Sequence, residues 1–283
     1  MRFPGIRSAA VVIALSAASV AMAAAPGGGS AAPETGTVSC GGNFASWLAN
    51  VKQEAAANGI SQRTIQSSLG NITPDPRVIA RDHGQGAFRQ SFAQFSGRMV
   101  NAYRLRRGGE LMRRYKPLFD RIEQRYGVPA PVLTAIWGLE TDFGAVTGNF
   151  PTIRSLVTLA FNCRRAPRFR KELLDALRIV DRGDMAPSQM HGAWAGEIGQ
   201  TQFLPSSYLK YAVDFDGRGR RDLIRDVPDV LASTANYLKS YGWRRGAGWE
   251  PGQPNFAVIQ AWNKADVYSR TIAYFATRLA QQR

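Results

Sequence analysis

A largely apolar stretch at residues 132–139 carries no charged side chain and ends directly at Glu140. A helix over this stretch would carry one acid on an otherwise apolar surface. Burial against Ile136 and Trp137 would disfavour the ionised carboxylate and raise its pKa, which a general acid working near neutral pH requires. The alternative is an acid at a helix end that faces water.

Apolar residues recur at helical spacing through most of the chain, which predicts a mainly α fold. Three such stripes are Phe44, Trp47, Leu48, Val51; Phe88, Phe92, Phe95, Met99; and Leu111, Tyr115, Leu118, Ile122. Asn43 and Ser61 are predicted N-caps, and Gly108 with Gly109 is predicted to separate two long helices. Because no convincing run of alternating strands occurs, we expect at most a small β-hairpin, around the acidic loop near residues 212–230.

The first 23 residues are typical of a secretory signal peptide. Arg2 and Arg7 precede an apolar run at residues 8–20, and residues 21–23 read Ala-Met-Ala. Residues 24–42 have the composition of a flexible linker, so the catalytic domain is expected over residues 43–283. We expect cleavage near Ala23 and a periplasmic protein. Cys40 lies too far beyond the apolar run for a lipoprotein anchor, and no later segment is long and apolar enough to predict a membrane span.

The chain has a formal net charge of +15 and two cysteines, Cys40 and Cys163. In an exported protein this charge points away from nucleic acid and toward other polyanions, either peptidoglycan or an anionic membrane surface, between which the charge alone does not decide. An oxidising compartment favours a disulfide between the two thiols, and the alternative is two unpaired, buried cysteines.

Four motifs occur in a characteristic order. Residues 140–144 read Glu-Thr-Asp-Phe-Gly, residues 196–208 read Gly-Glu-Ile-Gly-Gln-Thr-Gln-Phe-Leu-Pro-Ser-Ser-Tyr, residues 211–217 read Tyr-Ala-Val-Asp-Phe-Asp-Gly, and residues 235–237 read Ala-Asn-Tyr. In this order and spacing the chain resembles the B-type lytic murein transglycosylases, from about Phe44 to the C-terminus. The resemblance implies a lysozyme-like helical core with a small EF-hand-like or β-hairpin insertion. It also implies non-hydrolytic cleavage of the β-1,4 bond between N-acetylmuramic acid and N-acetylglucosamine, giving 1,6-anhydromuramoyl ends.

The resemblance assigns roles to individual residues. Glu140 would protonate the glycosidic oxygen and then take the proton of the muramoyl 6-hydroxyl. Substrate-binding roles would fall to Gln202, Tyr237, Tyr268, Arg164 and Arg165, of which the two arginines would meet stem-peptide carboxylates. No cofactor is expected, and peptidoglycan glycan strands are the expected partner. Because the sequence has no heptad repeat that would indicate an oligomer, we expect a monomer.

A second carboxylate near Glu140 would instead indicate a muramidase that hydrolyses the same bond. Asp142 is a poor partner, because residues two apart on a helix point to opposite sides. Glu197, from another part of the chain, remains a candidate for the second carboxylate. Ala193 stands where many family members have a serine whose hydroxyl could orient the acid, so an inactive peptidoglycan-binding protein is a further alternative.

The acidic loop resembles the calcium loop of the family but departs from it. Asp214, Asp216 and Asp229 are candidate ligands, whereas Arg218 occupies an acidic position and Arg225 stands where an EF-hand has its bidentate glutamate. We therefore predict no metal, and we expect the Arg218 guanidinium to take the cation's place beside Asp214 or Asp216. The two histidines, with two distant cysteines, favour neither a zinc site nor a Ser-His-Asp triad.

Overall fold

A computed structural model describes residues 40–84 and 90–282. The predicted signal peptide, most of the predicted linker and Phe88 lie outside the described residues. Within them the chain forms thirteen α-helices and one two-stranded sheet, so the predicted mainly α class is confirmed. No helix in these two ranges has the length and apolar character needed to cross a membrane.

The helices follow one another with short connections. They are α1 Phe44–Ala57, α2 Gln62–Leu69, α3 Pro76–His83, α4 Phe92–Met99, α5 Ala102–Arg114, α6 Lys116–Tyr126, α7 Ala130–Thr141, α8 Thr152–Phe161, α9 Ala166–Asp181, α10 Pro205–Tyr211, α11 Val227–Ser240, α12 Phe256–Trp262 and α13 Asp266–Ala280. The strands are β1 Phe150–Pro151 and β2 His191–Gly192, and a short 3-10 helix spans Pro187–Gln189.

Local capping explains several of these boundaries. The Asn43 side chain accepts a hydrogen bond from the Ser46 backbone N–H at 3.0 Å, and Ser61 caps α2 in the same way, as predicted. At the end of α6, Gly127 adopts a left-handed conformation with φ 79°, which favours glycine over other residues.

Helix α7 is the centre of the fold. Every residue from Pro131 to Leu139 is buried, and the helix packs against α5, α6, α11 and α13. Neighbouring helices therefore cover the apolar stretch that dominates the sequence. Glu140 is placed in its last turn, where this cover opens.

The predicted helix break at Gly108 and Gly109 is wrong, because both residues lie inside α5. Their role is steric. A Cβ atom at Gly108 would lie 2.8 Å from Cδ2 of Leu279 and 3.3 Å from Cγ2 of Thr134. The absence of a side chain lets α5 approach both α13 and α7 closely, which is a use of glycine that a sequence pattern does not distinguish from a break.

The small sheet is formed by segments outside the acidic loop, and the described residues of that loop contain no strand, which agrees with the expectation of at most a small β-hairpin there. Strand β1 pairs antiparallel with β2, with Phe150 opposite Gly192. In the acidic loop, described without a strand, the Asp214 and Asp229 carboxylates accept backbone N–H groups that a β-ladder would otherwise use.

The predicted disulfide between Cys40 and Cys163 is confirmed, with a Cα–Cα distance of 5.1 Å. It joins the start of the described chain to the segment after α8. Close by, the Gly41 N–H donates to the Phe161 carbonyl at 3.0 Å, and the rings of Phe44 and Trp47 pack on the Phe161 ring. In the chain-entropy account, closing a loop of 123 residues stabilises the fold by about 4–5 kcal/mol.

Substitution of the two helix glycines tests the packing of α5. Gly108→Ala should lower the free energy of unfolding by about 1–3 kcal/mol, because the new methyl group meets the buried Leu279. Gly109→Ala is the matched control: its methyl group would meet only the ends of Gln282 and Arg113, which are exposed. This control should leave stability unchanged or raise it by up to ~1 kcal/mol. Urea denaturation of both variants measures the difference, and equal effects would contradict the steric role.

Candidate active site

Two hydrogen bonds converge on one oxygen of Glu140. The indole Nε1 of Trp262 and the hydroxyl of Tyr268 each donate to Oε1 at 3.0 Å. Within residues 40–84 and 90–282 no group hydrogen-bonds the other oxygen, Oε2. Because Oε1 already accepts two donors, the proton of the neutral acid belongs on Oε2, where a bound molecule can receive it.

The environment of Glu140 places the pKa of its carboxyl near neutral pH. Protein surrounds the group on most sides while leaving it partly open to solvent, and this desolvation raises its pKa to about 7. The donors Trp262 and Tyr268 stabilise the carboxylate and oppose the rise, whereas the nearby charge of Glu197 adds to it. The predicted elevation of the Glu140 pKa thus has burial as its main cause.

The motif at residues 140–144 ends α7 in an unusual way. Asp142 and Phe143 both have positive φ, 51° and 61°, which costs conformational energy in residues other than glycine. The Phe143 ring folds back edge-on against Trp137 at 5.7 Å, into space that a side chain at Gly138 would fill. The turn brings Gly144 so close to the Gln200 side chain that a Cβ could not be accommodated.

Asp142 does not serve as a second acid. Its carboxylate accepts the Nε–H of Arg104 at 2.5 Å, and the same guanidinium donates to the Met99 carbonyl. The sequence argument placed Asp142 on the helix, facing away from Glu140. The helix instead ends at Thr141, and the ion pair with Arg104 holds the side chain.

Glu197, the other candidate carboxylate, is only 5% exposed. Its Oε2 accepts the Ala195 N–H at 3.1 Å. Desolvation raises its pKa to about 7, opposed by that hydrogen bond and by the charges of Arg168 and Arg165. Glu197 is therefore close enough to affect Glu140 electrostatically, yet too buried to reach a sugar directly.

Two glutamines tie the turn at residues 196–203 to its surroundings. Gln200 accepts the Trp137 indole N–H at 2.8 Å and donates to the Ile224 carbonyl at 2.9 Å. Gln202, the predicted acetamido-binding residue, donates from Nε2 to the carbonyls of Thr147 and Gly199. In the described chain no group donates to its Oε1, which leaves that oxygen as the acceptor for a ligand N–H.

Aromatic rings form the wall beside Glu140. Trp262 packs edge-on against Tyr237 at 5.0 Å and against Phe203 at 5.6 Å, and the Tyr237 hydroxyl donates to the Ala261 carbonyl. Of the predicted aromatic residues, Tyr268 contacts the acid directly, whereas Tyr237 is one ring away. The sequence analysis missed Trp262. Its signal in the sequence was its position six residues before Tyr268.

Ala193 removes the serine hydroxyl expected to orient the acid. The donors from Trp262 and Tyr268 fix the Glu140 carboxyl instead, and both come from the C-terminal helices α12 and α13. The departure at Ala193 therefore does not leave the acid without orienting groups.

The predicted basic pair is engaged within the protein. Arg164 donates a hydrogen bond to the backbone carbonyl of Asp82 and forms an ion pair with the Asp82 carboxylate at 3.0 Å. Arg165 also pairs with this carboxylate. The Arg165 side chain is 18% exposed and that of Arg164 is 45% exposed. Of the two, only Arg164 keeps substantial surface for a ligand.

Arg218 pairs with two acids of the acidic loop. Its Nε lies 2.5 Å from Oδ2 of Asp216, and its Nη1 lies 2.8 Å from Oδ2 of Asp226. The hypothesis that this guanidinium pairs with Asp214 or Asp216 is thus confirmed for Asp216. Asp214 accepts the backbone N–H groups of Arg218 and Gly219 instead.

The acidic loop brings three carboxylates together as possible calcium ligands. Carboxylate oxygens of Asp214, Asp216 and Asp229 lie within 4.8 Å of one another, and desolvation raises the pKa of Asp229 to about 6. Calcium requires six to eight oxygen ligands, whereas the three carboxylates offer few and the Arg218 guanidinium already engages Asp216 and the neighbouring Asp226. The residues present therefore do not fit a calcium site.

A charge reversal at Arg218 tests this exchange. Calcium or a chelator should leave the melting temperature of the wild type unchanged. Arg218→Asp should melt lower without calcium, because Asp216 and Asp226 lose their ion-pair partner and gain a like charge, and should regain stability with it. Calcium at 100 times its Kd would contribute about 2.7 kcal/mol. Arg220→Asp, at an exposed position of the same loop, is the matched control and should not respond. A wild type stabilised by calcium would contradict the assignment.

Comparison with known proteins places the chain in a family. The family model described as "Transglycosylase SLT domain" matches residues 43–253. The chain is 34% identical over 195 residues to membrane-bound lytic murein transglycosylase B of Escherichia coli K12, which covers 66% of this chain and 53% of that protein. The chain thus spans about half the length of this curated relative.

Solved structures agree with the fold. SltB3 of Pseudomonas aeruginosa, in complex with NAG-NAM-pentapeptide, superposes with a TM-score of 0.81 at 30% identity, covering 85% of this chain and 80% of that one. E. coli Slt35 in complex with calcium gives a TM-score of 0.74 at 25% identity, covering 90% and 99%. These neighbours confirm the predicted lysozyme-like helical core. The chain belongs to the transglycosylase SLT domain family, and its relatives bear out the resemblance to the B-type lytic transglycosylases.

Proposed function

We propose that the protein is a lytic transglycosylase of peptidoglycan, with residues 43–283 as its catalytic domain and no cofactor. It would cleave the β-1,4 bond between N-acetylmuramic acid and N-acetylglucosamine and leave 1,6-anhydromuramoyl ends. The observation that carries the proposal is Glu140, a desolvated acid with a pKa of about 7 whose Oε2 is free to donate a proton. The relative in complex with NAG-NAM-pentapeptide supports the substrate class.

In this proposal one carboxyl acts twice. Oε2 first protonates the glycosidic oxygen as the bond from that oxygen to the muramoyl C1 breaks. The carboxylate then accepts the proton of the muramoyl 6-hydroxyl while the oxygen of that hydroxyl bonds to C1. This step restores the neutral acid. Trp262 and Tyr268 stabilise the intervening carboxylate, so a single group near its pKa can both donate and accept.

The surroundings of the other acids favour this route over hydrolysis. A muramidase with two protein carboxylates needs a second one that reaches the sugar or a water beside it. Asp142 is paired with Arg104, and the side chain of Glu197 is buried, with only 5% exposed. An inactive binding protein remains the other alternative, against which the intact hydrogen bonds to Glu140 argue.

For substrate binding we propose contacts from residues around the acid. The free Oε1 of Gln202 would accept an acetamido N–H, and the ring of Tyr237 would line the sugar site. Tyr268, predicted for the same role, is fully buried and would act there through its hydrogen bond to Glu140. Arg164 is the better candidate of the basic pair for a stem-peptide carboxylate, because Arg165 is mostly buried against Asp82. The proposed location is the periplasm, reached by a signal peptide cleaved near Ala23; the disulfide is compatible with this compartment.

Substitution of the acid tests both the reaction and its residue. Glu140→Gln keeps the size and the acceptor oxygen but removes the ionisable proton, so turnover should fall roughly 100- to 10,000-fold while binding to purified peptidoglycan is retained. Mass spectrometry of the digest should find anhydromuropeptides from the wild type. Reducing ends would instead identify a muramidase, and products from neither protein, with both bound, would identify a binding protein.

The pH profile tests how Glu140 is tuned. Because the reaction starts from the protonated acid, kcat/KM should fall as pH rises through about 7. Glu197→Gln removes a neighbouring negative charge, so the pKa of Glu140 should decrease and this limb should move to lower pH. Tyr268→Phe removes a donor that favours the carboxylate, so the limb should move to higher pH. Shifts in the same direction, or none, would contradict the assignment.

A further inference from the structure

A series of aromatic rings connects Glu140 to the protein surface. Trp262, which donates to Glu140, packs against Tyr237 at 5.0 Å with an interplanar angle of 77°. Tyr237 in turn stacks on Tyr241 at 4.6 Å and 24°. Tyr241 directly follows α11 and is the outermost ring of the series.

Tyr241 is unusually open for an aromatic residue in this protein. It is 47% exposed, and among the large hydrophobic residues of the described ranges only Tyr103 and Val146 are comparably exposed. Tyr237, on which it stacks, is only 9% exposed. The ring of Tyr241 is therefore supported on its inner side and leaves apolar surface open to solvent.

The orientation of this ring is restricted before any ligand arrives. The Tyr237 ring stacks on its inner side at 4.6 Å, and the Tyr211 ring lies 6.0 Å away. The Lys210 ammonium lies 5.0 Å from the centre of the Tyr211 ring. A ring held in this way loses little conformational freedom on binding, which favours its use as a rigid contact surface.

We propose that Tyr241 is a stacking platform for a sugar ring of the glycan strand, outside the sugars that flank the cleaved bond. A pyranose in a chair form presents C–H groups on its face, and these carry the positive polarisation that the negative face of an aromatic ring attracts. The ring series makes this platform continuous with the wall of the active site. The inference rests on the proposed function, because it assumes a glycan strand bound at Glu140.

Substrate length separates this role from a structural one. Tyr241→Ala should lower kcat/KM for long, uncross-linked glycan strands roughly three- to tenfold. It should leave the shortest fragment that the wild type cleaves unaffected, since that fragment does not reach the platform. Tyr241→Phe keeps the ring and should retain most of the activity on long strands. Tyr103→Ala, at a tyrosine 51% exposed on another helix, is the matched control and should change neither.

Binding without turnover gives a second readout. In the Glu140→Gln background, Tyr241→Ala should weaken the affinity for long strands by the same factor, measured by calorimetry, with an unchanged melting temperature. Equal losses on short and long substrates would overturn the proposal, because Tyr241 would then act by supporting Tyr237 and Trp262. Unchanged kinetics on long strands would overturn it as well. A wild type that cleaves no glycan at all would instead refute the proposed function.

Discussion

Burial of helix α7 is the constraint on which the rest of the structure depends. Helices from both halves of the chain cover its apolar residues, and the cover opens only at its last turn, at Glu140. The same packing that stabilises the core therefore desolvates the acid and raises its pKa to about 7. Stability and acidity have a common origin, so a change that loosens the packing of α7 would also lower the pKa of Glu140.

The groups that hold the acid come from the C-terminal end of the domain, far along the chain from Glu140. Trp262 and Tyr268 lie 122 and 128 residues beyond Glu140 and reach it only because α12 and α13 pack on the central region. The site consequently exists only when the C-terminal helices are docked. The close approach of α5 at Gly108 to Leu279 of α13 contributes to that docking.

Local sequence signals predicted the features that local physics determines. Caps at Asn43 and Ser61 and the helix over residues 132–139 follow from neighbouring residues. The family resemblance pointed to Glu140 and Tyr268, which the structure joins by a hydrogen bond. The donor from Trp262, the steric role of Gly108 and the pairing of β1 with β2 are contacts through space between distant segments, so no local pattern encodes them. The acidic loop was an intermediate case, because the charge of Arg218 predicted its role but not its second partner, Asp226.

The two buried carboxyls, Glu140 and Glu197, share one electrostatic environment and are best treated as a pair. Each has a pKa of about 7, and the charge on Glu197 raises the pKa of Glu140. Arg165 and Arg168 favour the ionised form of Glu197, whereas the two donors to Glu140 are neutral groups. Negative charge on Glu197 therefore favours the protonated form of Glu140. In the proposed reaction, a buried acid would in this way support the proton-donating form of the acid that meets the substrate.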